Sequence, residues 1–342
     1  MRRIGNLIDR IAEPDNLRLA YLKARRGKHE RPDVRAFARD LDRNLSDLTS
    51  ELRSGEVRWG GYRSFHIQDP KPRLIQAPAF RARVAHHAIL NVCEPVFDAC
   101  QIPDSFACRK NKGLDGALKR ALRFSRPGGW FLKMDIRKCF DTIRHEILRN
   151  LLRRRFKDSV VLRLFDGVID THETEPGRGI PIGNLTSQFF ANHYLGVLDH
   201  HAKETLRARR YVRYMDDFVF WDRDRRRVRE IRAAAESFLA DRLSLAVKPP
   251  CLNACRHGLP FLGYKVYPDG LRLARRTRQR FRRRTRAIYR LLDEERLTES
   301  EAARRLEPMT AFACRGASLP FRRRVFANLE NPLGPRPEAR TG

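Results

Sequence analysis

"RRYVRYMDDFVFWD", residues 209–222, is the stretch on which the fold turns. Tyr211 and Val212 precede a tight polar centre and Phe218 to Trp221 follow it, so the pattern predicts strand, turn, strand. Adjacent side chains of a regular strand point to opposite faces, and only a turn presents Asp216 or Asp217 at a hairpin tip. Upstream, "WFLKMDI" (130–136) reads as an apolar strand ending in a further acid, Asp135. An unpaired carboxylate is costly there unless something cationic meets it. Hard divalent ions such as Mg2+ take oxygen ligands, and two of them about 3.5–4 Å apart clamp the attacking and leaving oxygens of phosphoryl transfer. Carboxylates on two neighbouring strands suit that clamp. Asp is also common in turns, so a solvated hairpin tip stays open as the plainer reading.

Working outward, residues 1 to about 60 read as helical. "PDVRAFARDLDRNLSDLTSELRSG" places Val34, Phe37, Leu41, Leu45, Leu48 and Leu52 at three- and four-residue steps and stops at Gly55. From Trp59, "YRSFHI" and "PRLIQAP" alternate as a strand pair punctuated by Pro70, Pro72 and Pro78. Helices are expected through "AFRARVAHHAILNVCEPVF", "GLDGALKRALRF", the interval from Ile143 to Phe165, and "LTSQFFANHYLGVLDHHAKETL". Helix and strand mix throughout, which makes the class α+β. Residues 271–290 carry ten arginines and no acid, with Leu271, Leu273, Phe281, Ile288, Leu291 and Leu292 as an apolar side, and are expected to form one packed helix with a phosphate-facing surface. The segment after Pro332 has little to bury and should fray.

The 342 residues carry 71 Lys and Arg against 41 Asp and Glu, a net charge of +30, so a polyanion is the expected partner. Nucleic acid comes first and an anionic membrane surface second. A hydrophobic fraction of 42% is too high for a disordered basic tail. No stretch approaches the roughly 18 uncharged apolar residues of a membrane span, and the start lacks a signal-peptide pattern, so a cytoplasmic protein with no membrane association is expected. Seven scattered cysteines suit reduced thiols. Cys251, Cys255 and His257 lack the fourth ligand of a structural zinc site, and small buried thiols are the simpler expectation.

Seven segments together resemble the reverse transcriptases. "YMDD" (214–217) is similar to the family's YxDD box and "FLKMDIRKCFDTI" (131–143) to the box with the first catalytic Asp; "PKPRLIQAP" resembles the fingers segment and "SFACRKNKGLDGAL" the box after it. "IGNLTSQ" (182–188), "LSLAVKPP" (243–250) and "LPFLGYKV" (259–266), the last like a primer grip, complete the set in family order over roughly residues 30 to 330. The resemblance implies a right-hand polymerase with an antiparallel palm sheet: an N-terminal helical extension at 1–58, interleaved fingers and palm at 59–267, a basic helical thumb at 268–331 and a disordered tail at 332–342. Most of the family resemble "QGxxxSP" where this chain has Ile182 and Gln188. That form is similar to the enzymes of diversity-generating retroelements, which copy a template-repeat RNA with errors at adenines and pass the mutated cDNA to a variable gene. A chain that ends after the thumb fits that lineage. A defence-type or retron-like enzyme, or a catalytically silent RNA-binding relative, are the alternatives.

The same resemblance implies the roles of single residues. Asp135, Asp216 and Asp217 are the catalytic acids and, with the Ile136 carbonyl, the ligands of two Mg2+ ions, for which Mn2+ could substitute. Phe140, five residues after Asp135, resembles the steric gate that collides with a 2′-hydroxyl. Arg73 would pair with the triphosphate and lie against the incoming base of a dNTP, and Lys248 would sit near the pyrophosphate. Ile182 and Gly183 line the nucleotide site. Leu262, Gly263, Arg275, Arg276, Arg280, Arg283 and Arg284 would hold the primer and the RNA/cDNA duplex. His86 and His87 are packing or solvent residues. The lineage also implies a small, basic, oligomeric partner, the accessory variability determinant, joined to the enzyme through RNA.

Overall fold

The structure is a computed structural model, and its described residues are 3–68 and 72–330. The expected fraying after Pro332 and the tip of the first hairpin lie outside them. The chain begins α1 (Ile8–Ile11), α2 (Pro14–Arg25), α3 (Pro32–Arg39), α4 (Leu41–Ser54), β1 (Tyr62–Gln68), β2 (Pro72–Pro78) and α5 (Phe80–Asp98). It continues through α6 (Gly113–Ser125), β3 (Trp130–Asp135), α7 (Cys139–Thr142), α8 (His145–Arg155), α9 (Ser159–Ile169) and α10 (Leu185–His200). Then come β4 (Arg210–Tyr214), β5 (Asp217–Asp222), α11 (Arg225–Leu243), β6 (Cys251–Ala254), β7 (Leu259–Phe261), β8 (Tyr264–Tyr267) and β9 (Gly270–Leu273). Three helices close the described chain: α12 (Arg275–Asp293), α13 (Glu299–Cys314) and α14 (Leu319–Glu330).

The chain divides into two compact units. The first gathers residues 1–113, 133–220 and 229–250. The single helix expected over 32–55 is two, because Asp40 leaves helical geometry at φ −117° and ψ 49°; the second stops where expected, at Gly55 with φ 80°. Leu17, Ala20, Tyr21 and Ala24 form the buried stripe of α2, and the rings of Tyr21, Phe37 and Phe80 pack edge and face where α2, α3 and α5 meet. A second ring cluster, Phe97, Phe156, Phe165 and Phe190, joins α5, α9 and α10. Each such ring contributes about 1.5–3 kcal/mol when fully buried, so these clusters hold the helices together. In one sheet, β5 lies between β4 and β3. The expected strand pair of 62–78 is the antiparallel ladder β1–β2, running from Tyr62 opposite Pro78 to Gln68 opposite Pro72.

The second unit gathers residues 114–132, 221–228 and 251–342. Here β6 lies beside the start of β3, and β7, β8 and β9 form an antiparallel sheet. The reading of 271–290 as one helix is corrected: Leu271 and Leu273 sit in β9, and the helix starts at Arg275 after Ala274 in an extended conformation. Strand pairing with β8 claims Leu271, opposite Val266, because the alternating "GLRL" fits a pleated ladder better than a helix turn. Thr277, Phe281, Thr285 and Ile288 are the buried stripe of α12. Its last turn closes with Leu291 and Leu292 on a small core with Leu297, Ala302, Leu306 and Met309.

Candidate active site

Between β4 and β5 only Met215 and Asp216 remain, so the turn is as tight as a hairpin allows. Met215 has φ 54°, at the first central position, where a tight hairpin turn usually takes glycine. Asp216 follows at the tip, and its carbonyl accepts from the Ile136 N–H at 3.1 Å. Asp135 ends β3, the neighbour of β5, so the two acids come from adjacent strand ends, as the sequence expects. Lys248 is anchored to the same point. Its N–H donates to the Asp135 carbonyl at 2.8 Å, and its ammonium pairs with the Asp135 carboxylate. Lys133, which the sequence reasoning passed over, places its Nζ 2.9 Å from Asp217 Oδ2. The signal was available: two residues before Asp135 on one strand, Lys133 shares its face.

Burial raises the Asp216 carboxyl above the usual carboxylate range and the nearby Asp135 adds to it, while Lys248 and Arg73 pull the other way. Burial pushes Asp217 up to about 7 in spite of Lys133. The Asp217 Oδ1 is buried with no hydrogen-bond partner. A cluster of hard oxygens that costs this much to charge suits a divalent cation. Among the described residues no group of three or more His, Cys, Asp or Glu stands ready to hold a metal, and Lys248 and Lys133 each pair with one of the carboxylates. Carboxylate oxygens of this kind are the hard donors that Mg2+ prefers.

Backbone bonds link the residues expected at the nucleotide site. Phe140, half-buried in α7, accepts through its carbonyl from the Ile180 N–H at 2.9 Å. Two residues on, the Ile182 carbonyl accepts from the Gln76 N–H of β2 at 2.7 Å. Gly183 is required there: its φ is 139°, and a Cβ would stand 2.3 Å from the Gln76 carbonyl oxygen. Tyr62 of β1 closes the same junction, accepting from Asn184 Nδ2 at 2.7 Å and bonding Thr171 Oγ1. Arg73 projects from β2 as an exposed side chain, opposite Ile67, and its charge acts on Asp216.

The remaining expected residues belong to the second unit. Leu262 and Gly263 both have positive φ, 49° and 87°, and make the two-residue turn between β7 and β8. The Gly263 carbonyl accepts from the Ala274 N–H at 3.1 Å and from Thr277 Oγ1 at 2.7 Å, which ties this turn to the start of α12. Along α12, Arg275, Arg276, Arg283 and Arg284 are exposed and Arg280 is half-buried. Arg278 and Arg282 flank the Phe321 ring, and a groove of about 180 Å³ lies among Arg282, Arg286, Arg324, Val325 and Asn328.

The family model of the reverse transcriptase (RNA-dependent DNA polymerase) matches residues 67–266, more than half of the chain. The chain belongs to the reverse transcriptase family. The Saccharomyces cerevisiae COX1/OXI3 intron 1 protein is 28% identical over 46% of this chain and 20% of that protein, so the chain spans about a fifth of the length of that relative. Protein YkfC of Escherichia coli is 25% identical over 65% of this chain and 71% of its own. The solved telomerase of Candida tropicalis, in complex with the TWJ fragment of telomeric RNA, shares the fold with a TM-score of 0.50 at 10% identity, covering 84% of this chain and 58% of that one. The fold class is thus the expected α+β right-hand polymerase.

The remaining expectations concern the cysteines, the histidines and membrane spans. All seven cysteines are free, but Cys251 and Cys314 are exposed rather than small buried thiols. His257 spends its ring nitrogens on Asn253 and Arg256, and Cys255 is buried. His86 is a packing residue: it stacks on Trp59, bonds Thr186 Oγ1, and burial lowers its pKa to about 3. Among the described residues no helix is long and apolar enough to cross a membrane.

Proposed function

We propose that this protein is an RNA-directed DNA polymerase of the diversity-generating type, which copies a template-repeat RNA into cDNA with errors at template adenines, in the cytoplasm. The polymerase part is carried by one observation: Asp135 and Asp216 stand at the ends of adjacent strands, joined by the Ile136 to Asp216 backbone bond. Asp135 and Asp216, with the Ile136 carbonyl and Asp217 beside them, would hold two Mg2+ ions, or Mn2+ in their place. Bound there, the ions supply charge neutralisation at the attacking and leaving oxygens. The primer 3′-oxygen forms a bond to the α-phosphorus of a dNTP, pyrophosphate leaves with the electron pair of the broken P–O bond, and the hydroxyl proton passes to water. Lys248 offers an ammonium to the pyrophosphate, Arg73 pairs with the triphosphate and Phe140 excludes a 2′-hydroxyl. Leu262 and Gly263 grip the primer strand, and Arg275, Arg276, Arg280, Arg283 and Arg284 follow the RNA/cDNA duplex from a thumb at 268–331.

The diversifying part rests on the "IGNLTSQ" box. Ile182 offers a branched alkyl group where most relatives have an amide, and it sits on the Gln76 backbone three residues from Arg73. An alkyl group fills space without bracing a nascent pair, and losing about 1–3 kcal/mol of discrimination raises errors roughly ten- to hundredfold. A basic accessory variability determinant would join the enzyme through the RNA, since two cationic proteins repel without it. Primer extension on a defined RNA template with Mg2+ and balanced dNTPs tests both parts. We expect cDNA with errors concentrated opposite adenine. No DNA product would end the polymerase reading, whereas equal error rates at all four template bases would end only the diversifying one.

A further inference from the structure

Arg213 precedes the Tyr214–Asp217 box and is wholly buried, the largest fully buried side chain of the described residues. Its guanidinium meets the equally buried Asp199 of α10 through two parallel bonds, Nε to Oδ1 at 2.8 Å and Nη2 to Oδ2 at 2.7 Å. Nη1 donates to Asn192 Oδ1 at 2.8 Å and to the Met215 carbonyl at 3.1 Å; Nη2 also reaches Gln101 Oε1 and Ser105 Oγ at 3.0 and 3.1 Å. Every N–H of the fork therefore has an acceptor. One of these bonds is unlike the others. It ends on Met215, the non-glycine residue held at positive φ immediately before Asp216. A left-handed conformation in a side-chain-bearing residue persists only where its surroundings over-determine it.

We infer that Arg213 is a positioning residue for catalysis: it clamps the Met215 carbonyl from beneath and so fixes the turn that presents Asp216. Asn192 and Asp199 both fasten the guanidinium to α10, and the bond to Met215 transmits that fixed position to the turn. A buried charge is an expensive way to brace a hairpin, and a fork of five donors is the one side chain that can hold Asp199 and the Met215 carbonyl at once. The inference rests on the metal-dependent polymerase reading of Asp216.

Two substitutions separate positioning from bulk stability. Arg213→Lys keeps the charge opposite Asp199 but cannot span to Met215. Asp199→Asn keeps one acceptor oxygen for the fork and turns the other into an amide donor, which removes the ion pair while the bonds of Nη1 to Asn192 and Met215 remain. At a temperature where each variant is folded by circular dichroism, Arg213→Lys should lower kcat about a hundredfold, the scale of a misplacement near 1 Å, with KM for dNTP and the Kd for template-primer within about threefold. Its Kd for Mn2+, followed by titration of the protein alone, should weaken about tenfold, a shift of about 1.4 kcal/mol. Asp199→Asn should lower Tm and leave kcat and Mn2+ binding within about threefold. Should Arg213→Lys fail to fold, the pair Arg213→Met with Asp199→Leu removes both charges together, and the same losses of kcat and Mn2+ affinity are expected in it. Parent-like kcat and Mn2+ binding in folded Arg213→Lys, or in the double variant, would overturn the inference. Equal losses in Asp199→Asn and Arg213→Lys would do so too, by making the network merely structural. If the parent makes no DNA, the polymerase reading fails, and the Mn2+ titration still decides whether Arg213 positions the acid.

Discussion

Asp216 and Phe140 are the residues whose chemistry can be separated most cleanly from their packing. Asp216→Asn is nearly isosteric, and its carbonyl bond to Ile136 belongs to the backbone, so the turn should survive. The lost charge is the one the divalent ions need. We expect cDNA synthesis to fall by at least about 10³-fold in primer extension on RNA with Mg2+, since each 1.36 kcal/mol is tenfold. Activity within tenfold of the parent would remove Asp216 from the chemistry. Phe140→Ala opens space beside the loop that carries Ile180 and Ile182. In a competition assay, incorporation of rNTP relative to dNTP should rise while dNTP use persists; an unchanged ratio would return Phe140 to a packing role. The sequence marked Asp216 as the centre of a hairpin, and the resemblance to the family's boxes suggested the roles of both residues. Arg213 was not legible in this way, because a strand arginine carries no pattern of its own until its partner Asp199 is seen beside it; Lys133 shares a strand face with Asp135, but its pairing with Asp217 shows only in the fold.

At the scale of elements, α12 shows how a basic run can be both packed and available. Its buried stripe of Thr277, Phe281, Thr285 and Ile288 holds one side of the helix, and the exposed guanidiniums of Arg275, Arg276, Arg283 and Arg284 are left to solvent. Replacing those four by Ala leaves the stripe intact. Template-primer binding should weaken for every sequence, and the slope of log K against log salt should flatten by roughly 0.7–0.9 per lost phosphate contact. A slope equal to the parent's would mean that these arginines meet no phosphate. The start of α12 lies later than expected because Leu271 and Leu273, two residues apart, share a strand face and pair with β8 before the helix begins. The break at Asp40 between α3 and α4 was hidden because an apolar period that continues across a kink looks unbroken in sequence.

For the whole molecule, acid should be destabilising through His86. Burial depresses its pKa to about 3 in the folded state, against about 6.5 unfolded. The unfolded chain then binds a proton that the folded chain refuses, so this contribution is complete above about pH 6.5 and is lost as pH falls toward 3. Between pH 7 and pH 5 the parent should lose about 2 kcal/mol more than His86→Asn in urea unfolding, from 1.36 kcal/mol per unit over about 1.5 units. Identical losses in the two proteins would show that His86 takes up its proton while folded. The sequence by itself determined most of the elements: the hairpin that carries Asp216, the fingers ladder and the body of the arginine helix are each set by neighbours a few residues away, through side-chain period and turn chemistry. Tertiary structure alone decided which cations meet the acids, that Gln76 docks on Ile182 and Gly183, and that a buried guanidinium stands under Met215. Those contacts join residues distant in the chain, and no local period encodes them; they exist only once the cores are packed.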